Sequence, residues 1–208
     1  MDASPGQKRR RAVSELKRGL ILEAARQVFE VDGLDGASLR AIAARAGYTP
    51  AALYFHFSSK EAIYAQVLHD SLARLRETVE SAISKLAAPA DRLRGAAHAF
   101  FSFYVENPRD LDLGFYLFRG GMKPKGLGRA FDEELNLVLG DALAPIAQAA
   151  REMGASDEQA RLLTVDIFAH AAGLLLLAHT GRIRMFGVSA PVQMDAYLAQ
   201  QIARLEGR

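Results

Sequence analysis

Apolar residues recur along this chain every three or four positions, and the strict alternation that marks strands is almost nowhere to be found. Leu39, Ile42, Ala43 and Ala46 set the pattern early. Read through to the C-terminus, it predicts helices over about 15–31, 39–46, 50–55, 59–86, 89–106, 108–118, 129–153, 156–179 and 191–205, the seventh bent at Pro145. The breaks fall on Gly47, Asn107-Pro108, the glycine-rich stretch 119–128 and Gly154, where helix stop signals belong. The expected fold class is therefore all-α.

The segment Ser38–Lys60 is the most informative. Ser38 is a good N-cap, because its hydroxyl can accept from the free amides of the next turn. Gly47 ends that helix in the left-handed conformation glycine tolerates. Thr49 is a second N-cap, and Pro50 fits a first helical position, where no amide donor is needed. In the short helix that follows, Leu53 packs inward while Ala51, Ala52, Tyr54 and His56 face outward. Alanines beside a tyrosine and a histidine suit a helix pressed into a groove, with rings placed to meet phosphates or bases. Ser58 and Ser59 cap the next helix, and Lys60 at its start is placed as a phosphate clamp.

These residues resemble the DNA-binding domain of TetR/AcrR-type transcriptional regulators. The resemblance covers roughly residues 15–65. It rests on Ile21 to Ala25 with Phe29, on Gly33 to Leu39, on Ile42-Ala43 and Ala46-Gly47, and on Leu53 to Phe57 with Lys60-Glu61. It implies an N-terminal three-helix helix-turn-helix DNA-binding domain plus a C-terminal helical ligand-binding and dimerisation domain. The implied organisation is a disordered basic arm over 1–14, the DNA-binding domain over 15–62 and the ligand-binding and dimerisation domain over 63–208. The implied partners are a palindromic operator in double-stranded DNA, a small-molecule effector and a second copy of the chain. The residues placed on DNA are Ser38, Arg40, Tyr48, Thr49, Pro50, Ala51, Ala52, Tyr54, His56 and Lys60. Pro50, Ala51 and Ala52 offer few donors to bases, which shifts specificity toward Tyr54, Arg40, the arm and DNA shape.

Charge agrees with this division. Residues 1–60 hold ten Lys/Arg against six Asp/Glu, and the remainder sixteen against eighteen. Positive charge gathered at one end suits an end that meets phosphates. The run Lys8-Arg9-Arg10-Arg11 lies in a polar stretch with no apolar segment after it, so it is not read as a secretory signal. No cysteine is present, which removes disulfides, thiolate metal sites and a cysteine nucleophile. No uninterrupted apolar run reaches the ~18 residues of a membrane span. The expectation is a cytoplasmic protein with no cofactor, no metal and no membrane partner.

The stretch 156–179 is apolar nearly all round, so it needs cover on every side. With the amphipathic last helix it would form a four-helix bundle across a two-fold axis, as the resemblance implies. Phe100, Phe101, Tyr104, Phe115, Tyr116, Phe118, Phe168 and His170 are the residues expected to line an apolar effector cavity, with His98 and Asp166 as further polar anchors. Arg119, Lys123 and Lys125 on the glycine-rich stretch suggest a lid for an anionic effector. Two other classes remain: an architectural DNA binder whose body only dimerises, and a small-molecule enzyme using His98, His170 or His179. No nucleophile motif, phosphate loop or metal-ligand spacing supports the enzyme.

Overall fold

The structure, a computed structural model, describes residues 4–114 and 126–207. Among the described residues, nine α-helices and one 3-10 turn account for the regular structure, and there is no strand. In chain order they are α1 (Pro5–Gly36), α2 (Leu39–Ala46), α3 (Pro50–Tyr54), α4 (Lys60–Ile83), α5 (Pro89–Glu106), α6 (Pro108–Gly114), α7 (Arg129–Glu152), α8 (Asp157–His179) and α9 (Ala190–Glu206). The 3-10 turn Arg182–Phe186 lies between α8 and α9, held between Gly181 and Gly187 at φ 70° and 64°.

The chain divides into two compact units. The first holds Met1–Asp70 with Asp112–Leu135, the second Ser71–Leu111 with Asn136–Arg208. The unit boundary thus falls eight residues beyond the division expected at residue 62, and the first unit recruits a later stretch of chain. The helix α4 belongs to the first unit up to Asp70 and continues unbroken into the second.

The first unit is built on α1. A disordered arm over residues 1–14 was expected; instead, helix begins at Pro5. The cause is local: Ser4 and Gln7 form a reciprocal capping box, and Pro5 occupies the first turn. The core starts only at Ile21, followed by Ala24, Ala25, Val28 and Phe29. Residues 5–20 therefore extend the helix without burying a side chain. Gly33 interrupts α1 at φ 66°. Tyr64 of α4 sets its ring edge against Phe29, 4.8 Å between centroids, and donates its hydroxyl to the Leu113 carbonyl at 2.9 Å.

The second unit packs α8 against α5 and α9. Leu93, Ala96, Ala97, Phe100 and Phe101 of α5, Ile167, Ala171 and Leu175 of α8, and Met194 and Leu198 of α9 are buried. Ser156 and Gln159 cap α8 with a second capping box. The polar interruptions of α8 fold into a 23-residue helix whose most apolar window has a mean hydropathy of 1.7, long and apolar enough, by composition alone, to cross a membrane. Only 22% of that window is buried within the chain, and Leu162, Val165 and Leu176 are more than half exposed.

Candidate nucleic-acid interface

The local chemistry of Ser38–Tyr54 builds a short helical corner. The Ser38 hydroxyl oxygen accepts from the Ala41 amide at 3.1 Å and opens α2. Gly47 closes it at φ 73°, and the Tyr48 amide then donates to the Ala43 carbonyl at 2.9 Å. The Thr49 hydroxyl oxygen accepts from the Ala52 amide at 3.3 Å and opens α3. On the inner face Ile42, Ala43 and Leu53 are fully buried and Phe57 nearly so. Arg18 lays its guanidinium 4.6 Å from the centre of the Phe57 ring and donates to Gln66 at 2.5 Å.

The outer face carries most of the residues predicted from sequence. Ser38, Arg40, Thr49, Pro50, Ala51 and Tyr54 are exposed, and Tyr48, Ala52 and His56 are partly so. Both capping hydroxyls use their oxygen as acceptor, so each keeps a proton to donate. Sequence reasoning missed Phe55. Leu53 and Phe57, four apart, fill the interior, and this leaves the Phe55 ring 88% exposed at the end of α3. A large aromatic left in water between two buried neighbours was the signal available.

Lys60 is placed differently from the clamp expected. Its ammonium donates to the carbonyls of Leu34 at 2.9 Å, Ala37 at 3.3 Å and Asp35 at 3.5 Å. These carbonyls follow the Gly33 break at the end of α1, where a cation is favoured by the helix dipole. The ammonium ties the α1–α2 corner to the start of α4.

A cleft of about 310 Å³ lies beside this corner, between the first turns of α1 and the end of α3. Arg10, Val13, Lys17, Tyr48, Phe55 and His56 are among its walls. A second, mostly apolar cleft of about 450 Å³ runs between α7 and α8, with Leu143, Ala147, Val165, Arg151 and Arg161 along it.

The effector residues divide. Phe100, Phe101 and Tyr104 are buried, and Phe100 packs edge-on to Tyr104 at 5.3 Å and to Phe168 at 5.8 Å. Neither cleft is lined by these rings. Burial, with the Asp110 carboxylate second, pushes the Tyr104 phenol well above its usual range. His170 instead stacks on Tyr197 of α9, 3.9 Å between centroids, with its Nε2 buried and unpaired. Burial lowers its pKa, opposed by a hydrogen bond with the Gln193 backbone. The Ser71 hydroxyl is also buried without a partner. His98 lies 3.5 Å from Asp195 and 3.1 Å from the Ser102 hydroxyl, and His179 is 3.2 Å from the Tyr104 carbonyl. Phe115, Tyr116, Phe118, Arg119, Lys123 and Lys125 lie outside the described residues. Among the described residues no cluster of three or more His, Asp or Glu is placed to hold a metal ion.

Residues 21–67 match the family model described as bacterial regulatory proteins, tetR family. The chain is similar to the HTH-type transcriptional activator FasR of Mycolicibacterium smegmatis, 37% identical over 48% of this chain and 45% of that protein. It is also similar to the HTH-type transcriptional repressor KstR2 of Mycobacterium tuberculosis, 38% identical over 41% of this chain and 42% of that one. The matched region thus spans about half the length of these curated relatives. Among solved structures, the transcriptional regulator FadR of Bacillus subtilis in complex with stearoyl-CoA shares the fold with a TM-score of 0.67, at 18% identity over 88% of this chain and 96% of FadR.

Proposed function

We propose that this chain, whose residues 21–67 match the tetR family of bacterial regulatory proteins, is a cytoplasmic, ligand-responsive transcriptional repressor that binds a palindromic operator as a homodimer. The observation that carries this reading is the capped pair α2–α3 with its buried inner face and exposed Ala51, Tyr54 and Arg40. Each protomer places α3 in a major groove, Ala51, Ala52 and Tyr54 toward base edges, and Ser38, Arg40, Tyr48, Thr49 and His56 toward phosphates. Lys60 serves by holding the corner that presents them.

The dimer buries the exposed apolar side chains of α8 and α9, namely Leu162, Val165, Leu176 and Val192. The effector is small and largely apolar. The Ser71 hydroxyl, buried without a partner in the second unit, supports a site there, since a buried orphan hydroxyl calls for a partner. FadR was solved with stearoyl-CoA, so long-chain acyl thioesters are the first class to test. A ligand that fits one spacing of the two readers shifts the population toward it, and if that spacing mismatches the operator the dimer leaves. By linkage, operator DNA weakens ligand binding by the same factor. FasR is named as an activator, and the position of the site relative to a promoter sets which sign applies.

The test is selection of bound fragments from random and genomic DNA with the wild-type chain and with Tyr54→Ala. A palindromic motif lost in the variant, and released by acyl-CoA, supports the reading. Salt-dependent binding with no motif replaces it with an architectural DNA binder, and a motif that no small molecule releases removes the inducible part.

A further inference from the structure

The second unit carries two apolar features that its own fold leaves open, one toward each end of α8. The first is the cleft of about 450 Å³ between α7 and the first half of α8. It is there because α7 turns small side chains toward it: Gly140, Ala144 and Ala147 recur at helical spacing along one wall. The second is the 3-10 turn Arg182–Phe186, which leaves Met185 and Phe186 80% and 67% exposed. Gly181 and Gly187, both left-handed, fix the turn at its two ends, so little conformational freedom is left for it to lose on binding.

We propose that the cleft seats Met185 and Phe186 of a second copy of this chain, the two copies exchanging the contact reciprocally about a two-fold axis. The inference rests on the homodimer reading above and extends the contact from the exposed face of α8 onto α7 and the 3-10 turn.

Three observations carry it. The first is the form of the cleft. Gly140, Ala144, Arg151, Arg161 and Val165 along it are exposed. A small-molecule site buries roughly 70–90% of its ligand, which an open trough does not do, whereas side chains anchored in a partner bring their own cover. The second is position. The 23 residues of α8 span about 34 Å. Its exposed face runs through Leu162, Val165, Ala169, Gly173 and Leu176, with the small residues at the middle, where two helices can approach closely. When two such faces pair antiparallel about a two-fold axis, the start of one α8 lies beside the end of the other, and the turn that follows α8 meets the partner's cleft. One chain cannot make this contact with itself, because turn and cleft lie toward opposite ends of its own α8. Val165 belongs both to the cleft and to the exposed face, so the contact is continuous. The third is area. The half-exposed side chains of α8 and α9 do not by themselves offset the freedom lost on association. Met185 and Phe186, each more exposed than any of those, add the apolar area a stable pair needs. Charge does not oppose the fit: Arg151 and Arg161 at the cleft are balanced by Asp157 and Glu158, so Arg182 and Arg184 on the turn meet no net repulsion.

The full-length chain contains no cysteine, so an engineered pair reports the contact without background. Met185→Cys with Ala147→Cys should give a covalent dimer on mild oxidation, read on a non-reducing gel, because a disulfide closes only where the two Cα atoms come within about 7 Å. Each single variant should stay monomeric on that gel. Met185→Ser with Phe186→Ser should raise the dimer Kd by about 10²- to 10⁴-fold in sedimentation equilibrium. Circular dichroism should be unchanged, since both side chains are exposed in the free chain. Ala144→Trp fills the cleft from an exposed position and should also weaken the dimer, and adding it to the serine variant should cost little more. A wild-type dimer whose Kd the serine variant leaves unchanged, with no cross-link in the paired variant, overturns the seating and spares the homodimer reading. A wild-type chain that stays monomeric at every concentration overturns both. Cross-linking by Met185→Cys alone would set the two turns against each other and overturn the cleft as their seat.

Discussion

Lys60 separates two readings that the sequence could not. As a phosphate clamp, Lys60→Met would leave the fold alone and cut one ionic contact with DNA. As the structure has it, the ammonium holds three carbonyls at 2.9, 3.3 and 3.5 Å. A hydrogen bond to a charged group contributes about 1.5–3 kcal/mol when well made. Only the Leu34 contact is short, the other two lie at the limit of hydrogen-bond distance, and the residue is partly exposed, so water replaces part of what is lost. The expected loss is about 1–2 kcal/mol, which for a chain of this size lowers the melting temperature by roughly 2–8 °C. Methionine keeps the apolar stem, so the loss reports the ammonium alone.

The effect should also be local. The carbonyls belong to residues 34–37, just before the Ser38 cap of α2, and amide exchange should rise first at the α1–α2 corner. The assay is a thermal scan of Lys60→Met with hydrogen exchange of the same variant and the salt dependence of DNA binding. Lowered stability, faster exchange over 37–43 and an unchanged salt slope are expected. A melting temperature within about 1 °C of wild type, together with a slope reduced by about two, one phosphate per protomer of the dimer, restores the clamp.

Four further outcomes follow from the same geometry. Arg74 pairs with the buried Asp110 at 2.6 Å, so Arg74→Met should cost about 1–3 kcal/mol in denaturant melts, discounted because the arginine itself is 46% exposed, and adding Asp110→Asn should recover part of it. Gly47→Ala forces an L-residue to φ 73° and should destabilise by about 1–2 kcal/mol, with weaker DNA binding in the same titrations. His170 has a lowered pKa in the folded chain, so the unfolded chain takes up a proton first; stability should fall as pH drops below about 6.5, and His170→Gln should flatten melts recorded between pH 7 and 5. Val165→Glu with Leu176→Glu places charges on the exposed face of α8 and should give monomers in sedimentation, with operator affinity reduced by at least tenfold; a dimer that persists removes α8 from the interface.

What the sequence made legible was local. Ser38, Gly47, Thr49, Pro50 and Ser156 each act through contacts within a few residues, and each stands in the structure as the cap or breaker its chemistry demands. What was not legible has the opposite property. Lys60 finds carbonyls 23 to 26 positions away, a pairing no spacing rule contains. The first turns of α1 carry no apolar periodicity, and the basic run suggested a tail; the Ser4–Gln7 box was present but lay among residues that bury nothing. The aromatic set of α5 shows the deeper limit. Phe100 and Tyr104 have the same identities whether they fill a core or line a cavity, and only the edge-on packing of Phe100 against Tyr104 and Phe168 decides which they do in this state.

The exposed face of α8 also bounds the strength of any dimer. Fully burying a Val or Leu side chain stabilises by about 1.5–3 kcal/mol, and a residue already half-covered contributes about half of that. Leu162, Val165, Leu176 and Val192 are 53%, 55%, 56% and 61% exposed, so two copies of each contribute roughly 6–12 kcal/mol on association. Lost translational and rotational freedom takes back about 4–15 kcal/mol. The two ranges overlap, so these side chains alone hold a dimer weakly or not at all. A stable regulator needs more of its surface in the contact. Met185 and Phe186, 80% and 67% exposed on the 3-10 turn between α8 and α9, are further exposed apolar residues that could supply it. A helix apolar enough by composition to span a membrane thus remains compatible with a DNA-binding regulator: a partner that covers its exposed apolar residues removes them from water, and operator binding adds its own linkage by selecting the paired state.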